Sequence, residues 1–417
     1  MHNKFTIIIP TMWYAAELKN MLMHYLASPQ IAQVIIINNN KSQTPRYISK
    51  LNNPKALVLT PEKNIFVNPA WNLGAAHANH TIILANDDIS IINLENLLQK
   101  LAQCPFDMVG ATVNNTLSST NEIRPLKPGS EFPRRSFGCF MMLRNYTYIP
   151  EQILIYSGDV LLFKMAKKPG IISGNYIHTP ISTTIRKRPD IKLLGQKDVM
   201  HLRHLLLSAS DRSKLNIVIR TSARPNYFEN CIQSIRKYAP KALLHITIDN
   251  ADDLEYVQKS CEGLKFNYYL INRETVKQHC SKIKIRRKSF IFNHYFNIVK
   301  PFLNGYVIFL DDDDQLMMTP ETGFDSSVFY LHKVDNCGRI IPDEKHWQTI
   351  TLNNISGLSV LFHSDVMPQW NPQRGGDFDF ISTLASHSKP IWKNSIISAS
   401  QTGGNNGRQN DLPSINN

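Results

Sequence analysis

The apolar positions of the chain come in short consecutive runs, each closed by a breaker or a polar cluster. Phe5-Thr6-Ile7-Ile8-Ile9-Pro10-Thr11 is the first, and apolar residues at successive positions predict a strand buried on both faces. Residues 16–26 change period. Leu18, Met21, Leu22, Tyr25 and Leu26 recur at three- and four-residue intervals, which predicts an amphipathic helix. A second buried strand follows at Gln33-Val34-Ile35-Ile36-Ile37 and ends in Asn38-Asn39-Asn40. Strands alternating with helices predict a mainly parallel sheet covered on both faces.

The same pattern restarts near Leu215. Asn216-Ile217-Val218-Ile219-Arg220-Thr221 reads as a strand, 227–238 as an amphipathic helix, and Leu243-Leu244-His245-Ile246-Thr247-Ile248 as a strand ending in Asp249-Asn250. Further on, Thr81-Ile82-Ile83-Leu84-Ala85 runs into Asn86-Asp87-Asp88, and Tyr306-Val307-Ile308-Phe309-Leu310 runs into Asp311-Asp312-Asp313-Asp314. A glycine opening an apolar stretch precedes a Gly-Asp pair in both halves: Gly138 lies 21 residues before Asp159, and Gly357 lies 20 before Asp377. Four landmarks in one order predict one α/β fold used twice, over 1–210 and 214–417. The polar stretch 208–213, after a helical segment at 199–207, marks the boundary.

Composition narrows the class. The chain has 417 residues, 42% of them hydrophobic, with 19 Phe and 15 Tyr, which argues against intrinsic disorder. Only 18 Gly exclude a collagen-like repeat, and no apolar run approaches the ~18 residues of a membrane-spanning helix. The first apolar stretch is cut by Pro10 and reads as a strand rather than a secretion signal. Six scattered cysteines without a Cys-x-x-Cys pair argue against a zinc site or a disulfide scaffold and fit a reducing cytoplasm. The net charge of +13 is uneven. Residues 1–213 hold 23 Lys+Arg and 13 Asp+Glu, and the remainder 23 and 20. A basic protein invites a nucleic-acid reading, yet there is no recognisable nucleic-acid motif and no long basic run. An anionic substrate, an anionic membrane face or a plain solvated surface remain.

The acidic clusters carry the chemistry. Carboxylates at the carboxyl end of a buried strand are costly unless solvated, paired or bound to metal, and parallel α/β sheets place their ligand crevice there. Asp311 to Asp314 therefore reads as a strand end delivering oxygen ligands to Mn²⁺ or Mg²⁺ and a diphosphate, with a solvated acidic turn as the alternative. Asp159 and Asp377 read either as bases within reach of an acceptor hydroxyl or as helix N-caps, with Asp379 the second choice for the base in its half.

At these residues the sequence resembles family-2-like glycosyltransferases of the GT-A fold, which build bacterial surface polysaccharides such as capsule and lipopolysaccharide. The resemblance covers both halves and implies two GT-A-like domains. It implies nucleotide-sugar contacts from Thr11, Asn38, Asn40, Asn86 and Asp87 in the first half, and from Thr221, Arg224, Asp249, Asp311 and Asp312 in the second. Asn68, Trp71 and Asn72 lie in a stretch that looks like the family's nucleotide-sugar loop and helix. Asp88, Asp313 and Asp314 are the implied metal ligands. His178 resembles the family's late metal-site histidine, with a structural histidine as the alternative; the stretch after Ile391 shows no counterpart. The implied donor is a nucleotide sugar, a UDP-sugar foremost, and the implied acceptor a glycan or lipid-linked glycan. The implied place is the cytoplasm, at or near the inner face of the membrane, with no nucleic-acid partner. Two carboxylate clusters suggest two active sites adding two sugars; Asn86 in place of a first Asp suggests instead that one half only binds carbohydrate. A nucleotidyltransferase is the weaker choice, because neither first strand runs into a Gly-rich phosphate loop. The basic stretches 124–135 and 282–288 and the tail from Thr402 read as mobile or acceptor-facing segments, or as solvated surface.

Overall fold

β1 (Phe5–Thr11) lies at the centre of the first sheet, between β2 (Ile31–Asn38) and β4 (Thr81–Ala85), and is parallel to both. Its isoleucines alternate between the two faces. Ile7 and Ile9 join the cluster built on Leu18, Leu22 and Tyr25 of the helix Glu17–Ala27. Ile8 meets Gly74 of the helix Val67–His77 on the other face, so closely that a Cβ at Gly74 would strike it. Three apolar residues in a row are thus what a sheet covered on both faces requires.

The computed structural model describes residues 4–111, 122–127, 137–174, 176–179, 190–208, 214–282 and 291–401. The chain divides into two compact units, Met1–Leu202 and Arg203–Asn417, and the helix Asp190–Ser208 carries the division within it. The first unit adds β3 (Ala56–Leu59), β5 (Ser90–Ile91), β6 (Met108–Ala111), β7 (Glu122–Pro125), β8 (Phe140–Leu143), β9 (Pro169–Ser173) and β10 (Ile177–His178). Its main sheet runs β3-β2-β1-β4-β8-β6-β9-β7, with β5 and β10 paired apart.

The second unit contains β11 (Leu215–Thr221), β12 (Leu243–Ile248), β13 (Lys265–Leu270), β14 (Tyr306–Asp311), β15 (Asp314–Leu316), β16 (Val328–Asn336), β17 (Arg339–Ile341), β18 (Val360–His363) and β19 (Lys389–Ser400). Its order is β13-β12-β11-β14-β18-β16-β19-β15, with β17 on β16. Seven strands follow the same spatial order in both units, and β4 and β14 each meet an antiparallel neighbour, β8 and β18. The α/β class with mainly parallel, Rossmann-like sheets is what the apolar runs anticipate. The structure sharpens one element in each half: the stretches after Gly138 and Gly357 start as a 3-10 turn (Phe137–Cys139, Gly357–Ser359) before becoming strands.

Strand registers align the units residue by residue. Ile8 opposes Leu84 as Val218 opposes Phe309, which pairs Pro10 with Arg220, Thr11 with Thr221, and Asn86, Asp87, Asp88 and Ile89 with Asp311, Asp312, Asp313 and Asp314. No described helix is long and apolar enough to cross a membrane. Residues 128–135, 283–288 and the tail from Thr402, singled out in the sequence, lie outside the described residues.

Candidate functional site

In the first unit, β1, β2 and β4 end together and present Thr11, the asparagine triplet and Asn86-Asp87-Asp88. Thr11 Oγ1 donates to Asp87 Oδ2 at 2.6 Å and accepts from the Trp13 backbone at 2.8 Å. Trp13 takes a left-handed φ of 64°, as does its counterpart Ala223 at 53°, so both units turn the chain sharply after the conserved-in-register threonine. Burial lifts the Asp87 carboxyl to about 6, against the Thr11 bond that lowers it.

These groups border a cavity of about 540 Å³, a volume suited to a sugar nucleotide. Thr11, Asn86, Asp87, Asp88, Trp71 and Asp159 line it. Asp159 arrives from the first turn of the helix Gly158–Met165. Its Oδ2 sits against Gly138, where a Cβ would come within 2.6 Å, so glycine at 138 lets the carboxylate reach the strand end. Burial holds the Asp159 carboxyl up at about 6. No Lys, Arg or His is among the described lining residues.

The other candidates of this unit are placed differently. Of Asn38-Asn39-Asn40, Asn39 lines the cavity and was missed by the sequence reading. Asn38 Oδ1 takes the Trp13 indole N–H at 2.6 Å and its amide donates to Thr44, while Asn40 Oδ1 takes the Ser42 hydroxyl. Asn68 donates to the carbonyls of Ile153 and Tyr156, and Asn72 both donates to and accepts from the Ile149 backbone, so both hold the segment that runs into the cavity wall. His178 stands opposite Ser90 in the β5–β10 pair, and its neighbour Thr179, not His178, lines the cavity.

One further residue holds that wall. Asp198 is 1% exposed and accepts from the consecutive backbone amides of Leu154, Ile155 and Tyr156 at 2.9, 2.6 and 2.9 Å. Nothing in the local pattern of the helix Asp190–Ser208 marks it. Asp198→Ala removes three charge-assisted bonds and leaves three amides without their acceptor. We expect a loss of about 2–4 kcal/mol and faster amide hydrogen exchange confined first to 154–156.

In the second unit the same strand ends are filled by the chain itself. Arg220 forms a bidentate pair with Asp311, both bonds at 2.6 Å. Arg224 reaches Asp312 through Nε at 3.2 Å and through Nη2, and Asp313 through Nη1 at 3.3 Å. Thr221 Oγ1 donates to Asp312 at 3.0 Å, as Thr11 does to Asp87. Burial still lifts Asp312 to about 7, against the pull of Arg224. Asp314, in the place of buried Ile89, takes the Ser400 hydroxyl at 2.7 Å and the Asp311 N–H at 3.1 Å; burial and the neighbouring carboxylates push it well above the ordinary range. Asp249 accepts from Ser222 and Tyr295.

Asp377 Oδ2 accepts from the Gly357 N–H at 2.9 Å, the counterpart of Asp159 against Gly138. Asp379 instead accepts from Asn371 and Gln373 and ties down the loop before its helix. The register position of His178 is taken here by Ala399, opposite Gln315. The sequence reading also missed Asn293 and Asn297, which repeat Asn68 and Asn72. Asn297 donates to and accepts from the Trp370 backbone, and Gly376 abuts Asn293 as Gly158 abuts Asn68.

Metal fit differs between the units. Asp311, Asp313 and Asp314 bring one carboxylate oxygen each within 4.8 Å of one another, the one such trio among the described residues. Hard oxygen donors suit Mn²⁺ or Mg²⁺, but Arg220 and Arg224 already pair with Asp311 and Asp313 of this set. In the first unit two carboxylates, Asp87 and Asp88, face the cavity, which matches the sparse protein ligation of a cation that shares its shell with substrate phosphates.

No family model matches this chain, and no curated protein does. Among solved structures it is similar to glucosyl-3-phosphoglycerate synthase from Mycobacterium tuberculosis. One structure is a complex with Mn²⁺, uridine diphosphate and phosphoglyceric acid, the other with Mn²⁺, uridine diphosphate and glucosyl-3-phosphoglycerate. The identities are 11% and 13%, the TM-score is 0.29 in both, and the matches cover 48% of this chain and 75% and 76% of those chains. So distant a likeness assigns no function, which rests on the residues of the site.

Proposed function

We propose that the chain is a metal-dependent glycosyltransferase that uses a nucleotide sugar, a UDP-sugar foremost, and that its transfer site is the cavity of the first unit. The observation that carries this reading is the meeting of Thr11-braced Asp87, Asp88 and Asp159 around one open cavity at the carboxyl ends of parallel strands. Asp87 and Asp88 would hold Mn²⁺ or Mg²⁺, which when bound supplies positive charge to the diphosphate leaving group. Asp159 accepts the acceptor hydroxyl's proton, a task that a carboxyl near 6 performs well at neutral pH. Asn39 and Trp71 border the donor's space, and Asp198 keeps the wall at 154–156 in place. A glycan or lipid-linked glycan acceptor, a role in capsule or lipopolysaccharide synthesis, and work at the inner membrane face follow from the sequence resemblance and belong to this proposal.

A second reading keeps two transfer sites, and the metal-spaced trio Asp311, Asp313 and Asp314 favours it. Against it stand Arg220 and Arg224, which fill the strand ends that are open in the first unit. The test is to incubate the whole chain with Mn²⁺ and a panel of nucleotide sugars, following transfer and hydrolysis. Asp88→Ala is expected to lower the rate at least tenfold. If Asp313→Ala instead removes transfer of a different sugar, the two-site reading replaces this one; if no nucleotide sugar is turned over at all, both are wrong.

A further inference from the structure

The duplication lets one unit show what the other lacks. In the second unit the Arg220 guanidinium sits in a complete shell. It makes the bidentate pair with Asp311, donates to Asn293 Oδ1 at 3.1 Å, and lies over the Phe296 ring at 4.6 Å; the Asp377 carboxylate adds to the field that favours its charge. The strand registers and the matched asparagine helices assign the counterparts in the first unit: Pro10 for Arg220, Asn86 for Asp311, Asn68 for Asn293, Trp71 for Phe296 and Asp159 for Asp377.

Of that shell the first unit keeps an aromatic ring and the Asp159 carboxylate, while the cation is replaced by Pro10 and its bidentate partner by neutral Asn86. Pro10, Asn86, Trp71 and Asp159 line the open cavity. An indole face at the Phe296 position is a better cation platform than the phenyl ring it replaces. Asn68, the fully buried counterpart of Asn293, is turned differently: its Oδ1 lies against Gly158, and it is not among the residues that line the cavity.

We propose that the first unit binds a cationic nitrogen group of its ligand, a primary ammonium or a guanidinium, in the place that Arg220 fills in the second unit. Asp159 supplies the counter-charge, Trp71 the ring face, and Asn86 a neutral acceptor. If the cavity is the sugar-transfer site proposed above, the sugar it selects carries an unmodified amino group. Binding of the cation can be measured without assuming transfer, so the two readings fail separately.

The experiment uses the whole chain and ligand-observed NMR titration with glucosamine, N-acetylglucosamine and methylguanidinium. Glucosamine is expected to bind at least tenfold more tightly than its N-acetyl form, and methylguanidinium to compete with it. Asp159→Asn should erase the preference. Pro10→Arg should do the same by installing the arginine of the second unit, and should raise Tm as that cation meets its shell. Should Pro10→Arg fail to fold, Asp159→Asn alone decides. Equal binding of the two sugars overturns the proposal. So does a preference that survives Asp159→Asn, or one that disappears when Mn²⁺ is added at saturation, since the metal would then be the cation the site wants. Transfer of neutral sugars with no amino preference overturns this inference and leaves the transferase reading standing; amino preference without any transfer does the reverse.

Discussion

Asp159→Asn is expected to lower the transfer rate by roughly 10²–10⁴-fold while making the protein more stable at neutral pH. The first effect follows from the base role proposed for Asp159, whose loss leaves the acceptor hydroxyl without a proton acceptor. The second follows from burial, which holds the Asp159 carboxyl at about 6, above the ordinary carboxylate range. A group raised in this way contributes its stability below the unfolded value, and that contribution is lost as pH rises through about 6. Above pH 6 the folded protein therefore carries a charge that it holds at a cost of at most about 2–3 kcal/mol, and the amide removes it. Calorimetric melts at pH 8 should show the variant above the parent, with the difference vanishing toward pH 4. The rate of the parent should fall as pH drops through about 6. Asp87 is also held near 6, so the fall alone does not identify the base. What identifies it is the rate of Asp159→Asn at pH 8, where both carboxyls of the parent are charged: a variant that keeps the parent's rate there means that Asp159 only shapes the turn at Gly138.

Such a trade between stability and activity is ordinary for a catalytic group, and it explains a feature that looks merely structural in the sequence. The Gly-Asp spacing of 21 and 20 residues reads equally well as helix capping. The structure supplies the reason for glycine: the carboxylate is pressed against Gly138 in one unit and bonded to the Gly357 N–H in the other. A side chain at Gly138 would push the carboxylate off the strand end, and one at Gly357 would strike the Trp370 ring.

The sheet was legible because buried parallel strands are continuous apolar runs, and both β1 and β11 are flanked on each side by another such run. The site was legible in its landmarks and not in its phases. Three adjacent asparagines are indistinguishable in sequence, yet alternation along the chain sends Asn39 to the cavity and Asn38 to the Trp13 indole. The counterpart of His178 lies beyond Trp392-Ser395: the strand pairing matches Gly170 with Ile391, and the same offset along the chain puts Ala399 at the His178 position. Asn293 and Asn297 share the four-residue spacing of Asn68 and Asn72 and could have been found by it. Arg220 gave a subtler sign. An arginine in a buried strand, beside an extra aspartate on the adjacent strand, is how a chain neutralises its own strand end. The acidic excess of the second half therefore does not translate into an open metal site. Its four aspartates face two arginines, a formal −2 that equals the two aspartates of the first unit.

Arg224→Ala is expected to be among the most damaging single changes in the second unit, costing about 3–5 kcal/mol, because it strands Asp312 and Asp313 in the interior. The arginine is 13% exposed, and its partners 2% and 12%, so water cannot replace it cheaply. At about 2–4 °C per kcal/mol for a unit of this size, the melting transition of the second unit should fall by roughly 6–20 °C. The pH dependence has a definite sign. Asp312 is held at about 7 by burial even with Arg224 beside it, so its stability contribution is lost as pH rises through about 7. Without the arginine the carboxyl rises further, and the deficit should be largest above pH 7 and shrink toward pH 5 as the proton takes over the arginine's task. A divalent cation offers a third occupant. If Asp311, Asp313 and Asp314 are competent ligands once the guanidinium is gone, Mn²⁺ at a hundred times its dissociation constant returns about 2.7 kcal/mol and the melt moves back up. Rescue by Mn²⁺ in Arg224→Ala but not in the parent would mean that the arginine holds the place of the metal. Rescue in both would restore the second unit as a transfer site in its own right. Rescue in neither would show that the four aspartates, spaced as metal ligands, are held only for the arginines.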